Sequence, residues 1–212
     1  MRKILNSLFI AFALTLPSRA ADLRKVLLSM PDTIMPTLSA SDFQDFLDYH
    51  DNGMTGRART RLGGESVMAD FQDRRLTILT SSVGKTDIAL YEQKKSKRDI
   101  ICVINTVTAE YSDSRITFYT EDWQPIPTAE LIDLPAFDDF LTRKALKSDS
   151  IDVFRRRSML RLSKIVPVEN ALVISYSSLG YIGPVESDRY REFLKPDPLC
   201  YMWNGKRFRM RR

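Results

Sequence analysis

The chain of 212 residues has one histidine, two cysteines and eight glycines, and beyond residue 20 it has no long uncharged apolar run. Each shortage excludes something. A single histidine, His50, leaves Ser-His-Asp and Cys-His nucleophilic plans one residue to build on, and its place at the end of an amphipathic segment reads more simply as a partly buried or capping side chain. Two cysteines far apart in sequence and no HExxH pattern leave zinc without a ligand set. Gly63-Gly64-Glu65-Ser66 lacks the lysine of a phosphate loop and reads as a turn into a strand. No later segment approaches the ~20 apolar residues that span a bilayer. No cofactor and no metal are expected.

What is present begins with Met1-Arg2-Lys3, an apolar stretch from Ile4 to Leu16, and Ser18-Arg19-Ala20. That order of charge, apolar run and small residues predicts a secretory signal peptide over residues 1–20, hence a periplasmic or secreted protein. No cysteine stands at the cleavage point to carry a lipid anchor. The chain has 32 Lys and Arg against 27 Asp and Glu, a net charge of +5; Arg2, Lys3 and Arg19 leave with the leader and bring it to +2. So modest an excess removes the support for nucleic-acid binding. An oxidising compartment permits a disulfide between Cys102 and Cys200; two buried free thiols fit their apolar, strand-like surroundings too.

The period of the apolar residues changes along the chain. Ser41 with Gln44 predicts a capped helix over residues 42–51, with Phe43, Phe46, Leu47 and His50 on one face. Asp42, Asp45, Asp48 and Asp51 lie on its other sides; as calcium ligands or a glycosidase pair they are badly spaced, and a solvated face accounts for them. Leu76 to Thr80, Ile88 to Tyr91, Ile100 to Val107 and Ser114 to Thr120 read as four strands of an antiparallel meander, with Glu92 to Asp99 as an exposed connection. A second helix is expected from Leu134-Pro135 through Ala145, with acidic Asp138-Asp139 near its N-terminus. Strands follow at Met159 to Val166 and Ala171 to Ser177, then a helix over residues 186–194. Leu199 to Trp203, Asn204-Gly205 and Lys206 to Met210 form a hairpin, echoing Ile116 to Ile126. The fold class is therefore α+β with mostly antiparallel sheet and short packed helices. It divides into a half over residues 21–130 and a half over residues 131–212, either a duplication or one continuous domain.

Met30-Pro31-Asp32 with Pro36 and Leu38, Gly64-Glu65-Ser66, Ile101-Cys102 with Thr106-Val107, and Asp113-Ser114-Arg115-Ile116 leading to Phe118-Tyr119, Trp123 and Pro125 occur in a recognisable order. In these features, and in Trp203-Asn204-Gly205-Lys206, the chain resembles an uncharacterised family of exported Bacteroidales proteins, a domain of unknown function. The resemblance implies export and a Bacteroidales-type envelope, and no activity.

Candidate binding residues come from three places. Asp113 and Arg115 form a polar cluster in which an arginine beside a carboxylate would recognise an anionic group; a turn is the simpler reading of Asp-Ser. Tyr119, Trp123 and Trp203 would form an aromatic platform, or pack across strands. Arg207 and Arg209 alternate with Phe208 and Met210, so a strand there exposes a basic edge. That edge would meet an anionic surface or simply discourage edge-to-edge aggregation. No catalytic constellation is assembled, so the function read from the sequence is an envelope module that binds a protein or glycan through its sheet. The alternative is a hydrolase of envelope or dietary polymers with a carboxylate pair drawn from distant residues.

Overall fold

The computed structural model describes residues 21–211, so the expected signal peptide lies outside the described residues. Two helices come first, α1 (Leu23–Leu28) and α2 (Ala40–Asp51). A seven-stranded meander follows: β1 (Arg57–Arg59), β2 (Glu65–Gln72), β3 (Arg75–Leu79), β4 (Gly84–Glu92), β5 (Asp99–Thr108), β6 (Ser112–Thr120) and β7 (Pro125–Ile126), each paired antiparallel with the next. Short helices α3 (Thr128–Leu131), α4 (Arg143–Leu146) and α5 (Ile151–Arg157) then lead to β8 (Ser163–Val168) and β9 (Ala171–Tyr176). After α6 (Pro184–Tyr190), β10 (Leu199–Trp203) and β11 (Phe208–Met210) complete a four-stranded sheet in the order β11-β10-β9-β8. The fold is α+β with antiparallel sheets.

Strand β5 explains the layering. Ile100 to Ile104 are all buried, because both faces of this strand are covered. Side chains alternate across a strand, so Ile101 and Val103 face α1 and α2 together with Ile88, Leu90, Phe43, Phe46 and Leu47. Ile100, Cys102 and Ile104 face the small sheet, where Phe118, Leu172, Ile174, Tyr201 and Phe208 fill the space between sheets. A third cluster of Phe137, Leu141, Ala145, Phe154, Tyr190 and Phe193 closes the helical end, with the rings of Phe154 and Tyr190 stacked at 4.6 Å. Burying each such side chain contributes about 1.5–3 kcal/mol before chain entropy is counted.

Several local expectations change. The helix expected over residues 42–51 is α2, and it is capped two residues earlier than expected: Ser39 accepts from the Asp42 amide, and the Asp42 carboxylate accepts from the Ser39 amide at 2.6 Å. His50 is exposed rather than partly buried, with its ring edge-on to Phe71 at 5.0 Å. Strand β1 was not expected, and β2, to which no residues had been assigned, begins at Glu65 directly after the Gly63-Gly64 turn. In β2 the register shifts between Met68 and Asp70, and such a bulge erases the period of two. The expected helix over residues 134–145 is broken into a tight 3-10 turn at Phe137–Phe140 and α4. Leu141 is extended and bridges Leu194, and the Thr142 amide donates to the Phe193 carbonyl, so a tertiary pairing replaces helix at that point. Phe137, Phe140, Leu141 and Ala145 are nonetheless all buried. The strand expected from Met159 starts at Ser163, and the last expected helix stops at Tyr190, continuing as a 3-10 turn to Phe193.

Cys102 and Cys200 are free. Cys102 points between the sheets, whereas Leu199, Tyr201 and Trp203 are the residues of β10 that face that core, leaving Cys200 on the opposite side. A bridge between them is thus sterically closed. Burial pushes the Cys102 thiol well above its ordinary value, aided by Asp87, which makes it an inert packing group.

Candidate functional site

The seven residues singled out in the sequence fall in separate places. Asp113 and Ser114 belong to β6 rather than to a turn, and they close a seam. Strand β8 is the outer strand of the small sheet, and its free edge lies along β6. The Ser163 amide donates to the Asp113 carboxylate at 3.4 Å, and the Ile165 amide donates to the Ser114 hydroxyl at 3.0 Å. Pro167, next on that edge, has no N–H to satisfy, and its carbonyl accepts from Arg75 at 3.3 Å. An edge that would otherwise pair with another chain is thereby sealed side chain by side chain. Arg115 is exposed, opposite Asn105 on β5.

The aromatics are spent on packing. Trp123 has φ 57°, an uncommon conformation for a bulky side chain, and closes the tight β6–β7 turn. Its buried indole N–H donates to the Val26 carbonyl at 3.2 Å, tying α1 to the large sheet, with Tyr119 tilted against it at 5.6 Å. Trp203 is half-buried beside Tyr91 and Phe208, and its indole N–H donates to the Glu92 carbonyl at 2.7 Å. The hairpin tip is fixed at the same point. Gly205, at φ 86°, sits against the stem of Lys94, where a Cβ would come within 2.2 Å of the Lys94 Cγ. The basic edge is partly neutralised inside the fold, since Arg207 lies 2.8 Å from Asp133 with 19 % of its side chain exposed, and Arg209 reaches the same carboxylate at 4.0 Å.

Acidic residues of the helices are similarly committed. Arg24 forms a two-pronged pair with Asp51 at 2.5 and 3.0 Å, and this hydrogen bonding raises the Arg24 pKa and lowers that of Asp51. Asp138 holds Arg155 in the same way at 2.5 and 3.1 Å, and the Asp139 carboxylate accepts from the Ala136 amide at the start of the 3-10 turn. Among the described residues no group of three His, Cys, Asp or Glu side chains is placed to hold a metal ion, and no helix is long and apolar enough to cross a membrane.

Of the concave surfaces among the described residues, two adjoin at the β2–β3 turn, apart from one of about 340 Å³ beside Arg57 and Glu65 and one of about 150 Å³ beside Phe140 and Pro196. One open cleft of about 450 Å³ is lined by Gln72, Asp73, Arg74 and Arg75 from that turn and by Glu169 and Asn170 from the β8–β9 turn. A second of about 310 Å³ shares Gln72 and Asp73 and continues to Phe71, His50, Asp22, Leu23 and Arg24. Helices, large sheet and small sheet meet there. Its arginines are fixed from behind: Arg74 donates to the Leu90 carbonyl at 3.3 Å and to Asp99 at 2.5 Å, and Arg75 donates to the Gln72 side chain at 2.7 Å and to Pro167. Asp73, Glu169 and Asn170 are exposed. The result is a polar groove with an aromatic wall, rigid cations and exposed acceptors. The sequence pointed to no groove here, although Phe71 to Arg75 departs from the family pattern and His50 is the chain's one histidine, because the lining is brought together only by the packing of one sheet on the other.

A family model described as "Protein of unknown function (DUF3256)" matches residues 15–208. Among solved structures, a domain of an uncharacterized protein from Porphyromonas gingivalis W83 is similar, with a TM-score of 0.78 and 23 % identity over 91 % of this chain and 98 % of that one. This likeness is one of fold. No curated protein matches. The expected resemblance to a Bacteroidales domain of unknown function is thus met.

Proposed function

From a chain that belongs to the DUF3256 family, we propose an exported, non-catalytic envelope protein that binds an extended segment of another protein in the groove around Gln72 and Asp73. Export is supported by the charge, apolar run and small residues of the first 20 positions. One observation carries the choice of surface: two clefts share the β2–β3 turn and join all three layers of the fold. Peptide backbone offers alternating donors and acceptors, which suits a groove holding fixed guanidinium groups beside exposed carboxylates and amides. Phe71, with Arg24 5.3 Å above its ring, provides an apolar wall for one side chain of the partner.

The test uses tagged protein of residues 21–212 and cross-linked envelope fractions. The native surface retains one near-stoichiometric partner, and Asp73→Arg with Glu169→Arg loses it while melting within about 2 °C of the parent, as surface changes do. Equal capture by both proteins would remove the groove from the account.

A second reading rests on the same cleft. Asp73 and Glu169 are both exposed carboxylates lining it, the kind of distant pair a glycan hydrolase requires. On this reading Glu169→Gln abolishes release of reducing sugar from envelope or dietary polysaccharide and leaves the melting temperature unchanged. Turnover that persists in Glu169→Gln would discard it.

A further inference from the structure

A fully buried carboxylate in the large sheet faces the first described residue. Asp99 opens β5 with a side chain that has 0 % exposure, and Arg74 reaches it with 37 % of its own side chain exposed, at 2.5 Å. A third polar group is present: the backbone nitrogen of Ala21 donates to Asp99 Oδ2 at 2.6 Å. A fourth is Glu121, whose carboxylate accepts from the Asp99 backbone amide at 2.7 Å. Glu121 thus accepts from the backbone of Asp99, while Arg74 is the cation paired with the Asp99 carboxylate. Glu92, paired across the strands from Asp99, is already matched by Lys97. A buried carboxylate is costly unless its charge is balanced, and Arg74, the cation paired with Asp99, is itself 37 % exposed.

We propose that Asp99 is the docking site for the α-ammonium group created when the leader is removed between Ala20 and Ala21. This inference rests on the export reading above. Hydrolysis by a leader peptidase adds water across the Ala20–Ala21 amide. Ala20 leaves with the new carboxylate, and the Ala21 nitrogen takes up a proton to become an ammonium. The nitrogen that now offers one neutral N–H to Asp99 then offers three donors and a full charge at the same place, a second cation beside Arg74 on the fully buried carboxylate. The Ala21 side chain is half-buried against the first core, and α1 behind it is pinned by Trp123 to Val26, so the terminus is held over the carboxylate. Processing at this bond thus locks α1 onto the sheet, and a cut displaced by even one residue leaves the amine outside the cluster.

Two measurements test it separately. First, the full chain is expressed with its own leader in a Gram-negative host, and the periplasmic product is read by intact mass and N-terminal sequencing. Ala21 is the expected first residue; an intact leader or another cleavage point overturns the processing step. Second, protein of residues 21–212 with a free Ala21 amine is compared with its N-acetylated form and with a form carrying one extra N-terminal glycine. Both altered forms melt about 3–6 °C lower, and the difference vanishes in Asp99→Asn. Equal melting of the three forms, or a difference that survives in Asp99→Asn, overturns the docking. Should Asp99→Asn fail to fold, the labelling rate of the α-amine decides: in the native protein it reacts at least about tenfold more slowly than in the urea-unfolded chain, and equal rates refute the contact.

Discussion

Two aspartates at the starts of neighbouring strands fasten different layers of this molecule by different means. Asp113, at the start of β6, is exposed and shares with Ser114 the task of accepting amides from β8 at 3.4 and 3.0 Å. Asp99, at the start of β5, is buried and accepts from Ala21 at 2.6 Å and Arg74 at 2.5 Å. The first clasp is nearly neutral chemistry in contact with water, where each hydrogen bond contributes ~1 kcal/mol. The second is ionic chemistry with the carboxylate fully buried, where loss of a partner strands a charge. The difference teaches that the Asp-Ser-Arg motif, although the more conspicuous in sequence, is the weaker fastener.

The comparison is broken most severely by Asp99→Ala, which leaves Arg74 and Ala21 unpaired around a cavity and is expected to cost about 3–5 kcal/mol in urea unfolding. Trp123→Ala follows closely at about 3–4 kcal/mol, since it removes a buried indole and the bond to Val26 together. Ser114→Ala orphans the Ile165 amide and the hydroxyl contact with Thr106, for a loss of about 1–2 kcal/mol. Asp113→Asn, which keeps an acceptor for Ser163, changes stability by under ~0.5 kcal/mol.

A smaller effect separates the sheets by pH. Burial, then Asp139 and Asp133, raise the Tyr201 phenol to about 12, and burial raises Tyr91 as well. Both rings prefer the neutral form in the folded state, so their contribution is complete below about pH 10, and it is lost as pH climbs towards 12. Ultraviolet titration should show these two phenols ionising together with loss of the β10–β11 hairpin.

Legibility in the sequence followed the range of the interaction. The apolar run of β5, the amphipathic face of α2 and the Asn204-Gly205 turn are local patterns, and each appears where its pattern predicts. Strand β2 was hidden by its bulge, and the helix expected over residues 134–145 yielded to the bridge from Leu141 to Leu194, a partner far along the chain. Among the candidate site residues, chemical type was readable and placement was not. Trp123 and Trp203 were singled out as large amphipathic rings, yet each indole N–H is consumed by a backbone carbonyl of another layer. Arg207 was read as part of an exposed basic edge and is held by Asp133, with 19 % of its side chain exposed. The groove was invisible, because Asp73 and Glu169 become neighbours only when the second sheet packs on the first.

The central claim is that the motif around Ser114 fastens the two sheets, leaving recognition to the groove. Amide exchange at Ile165, followed by NMR in the native protein and in Ser114→Ala, tests it most directly. The account predicts a protected Ile165 amide whose exchange accelerates by at least about tenfold when the hydroxyl is removed, with capture of the envelope partner unchanged. An Ile165 amide that exchanges freely in the native protein, or a Ser114→Ala protein that keeps its protection and loses the partner, would contradict it.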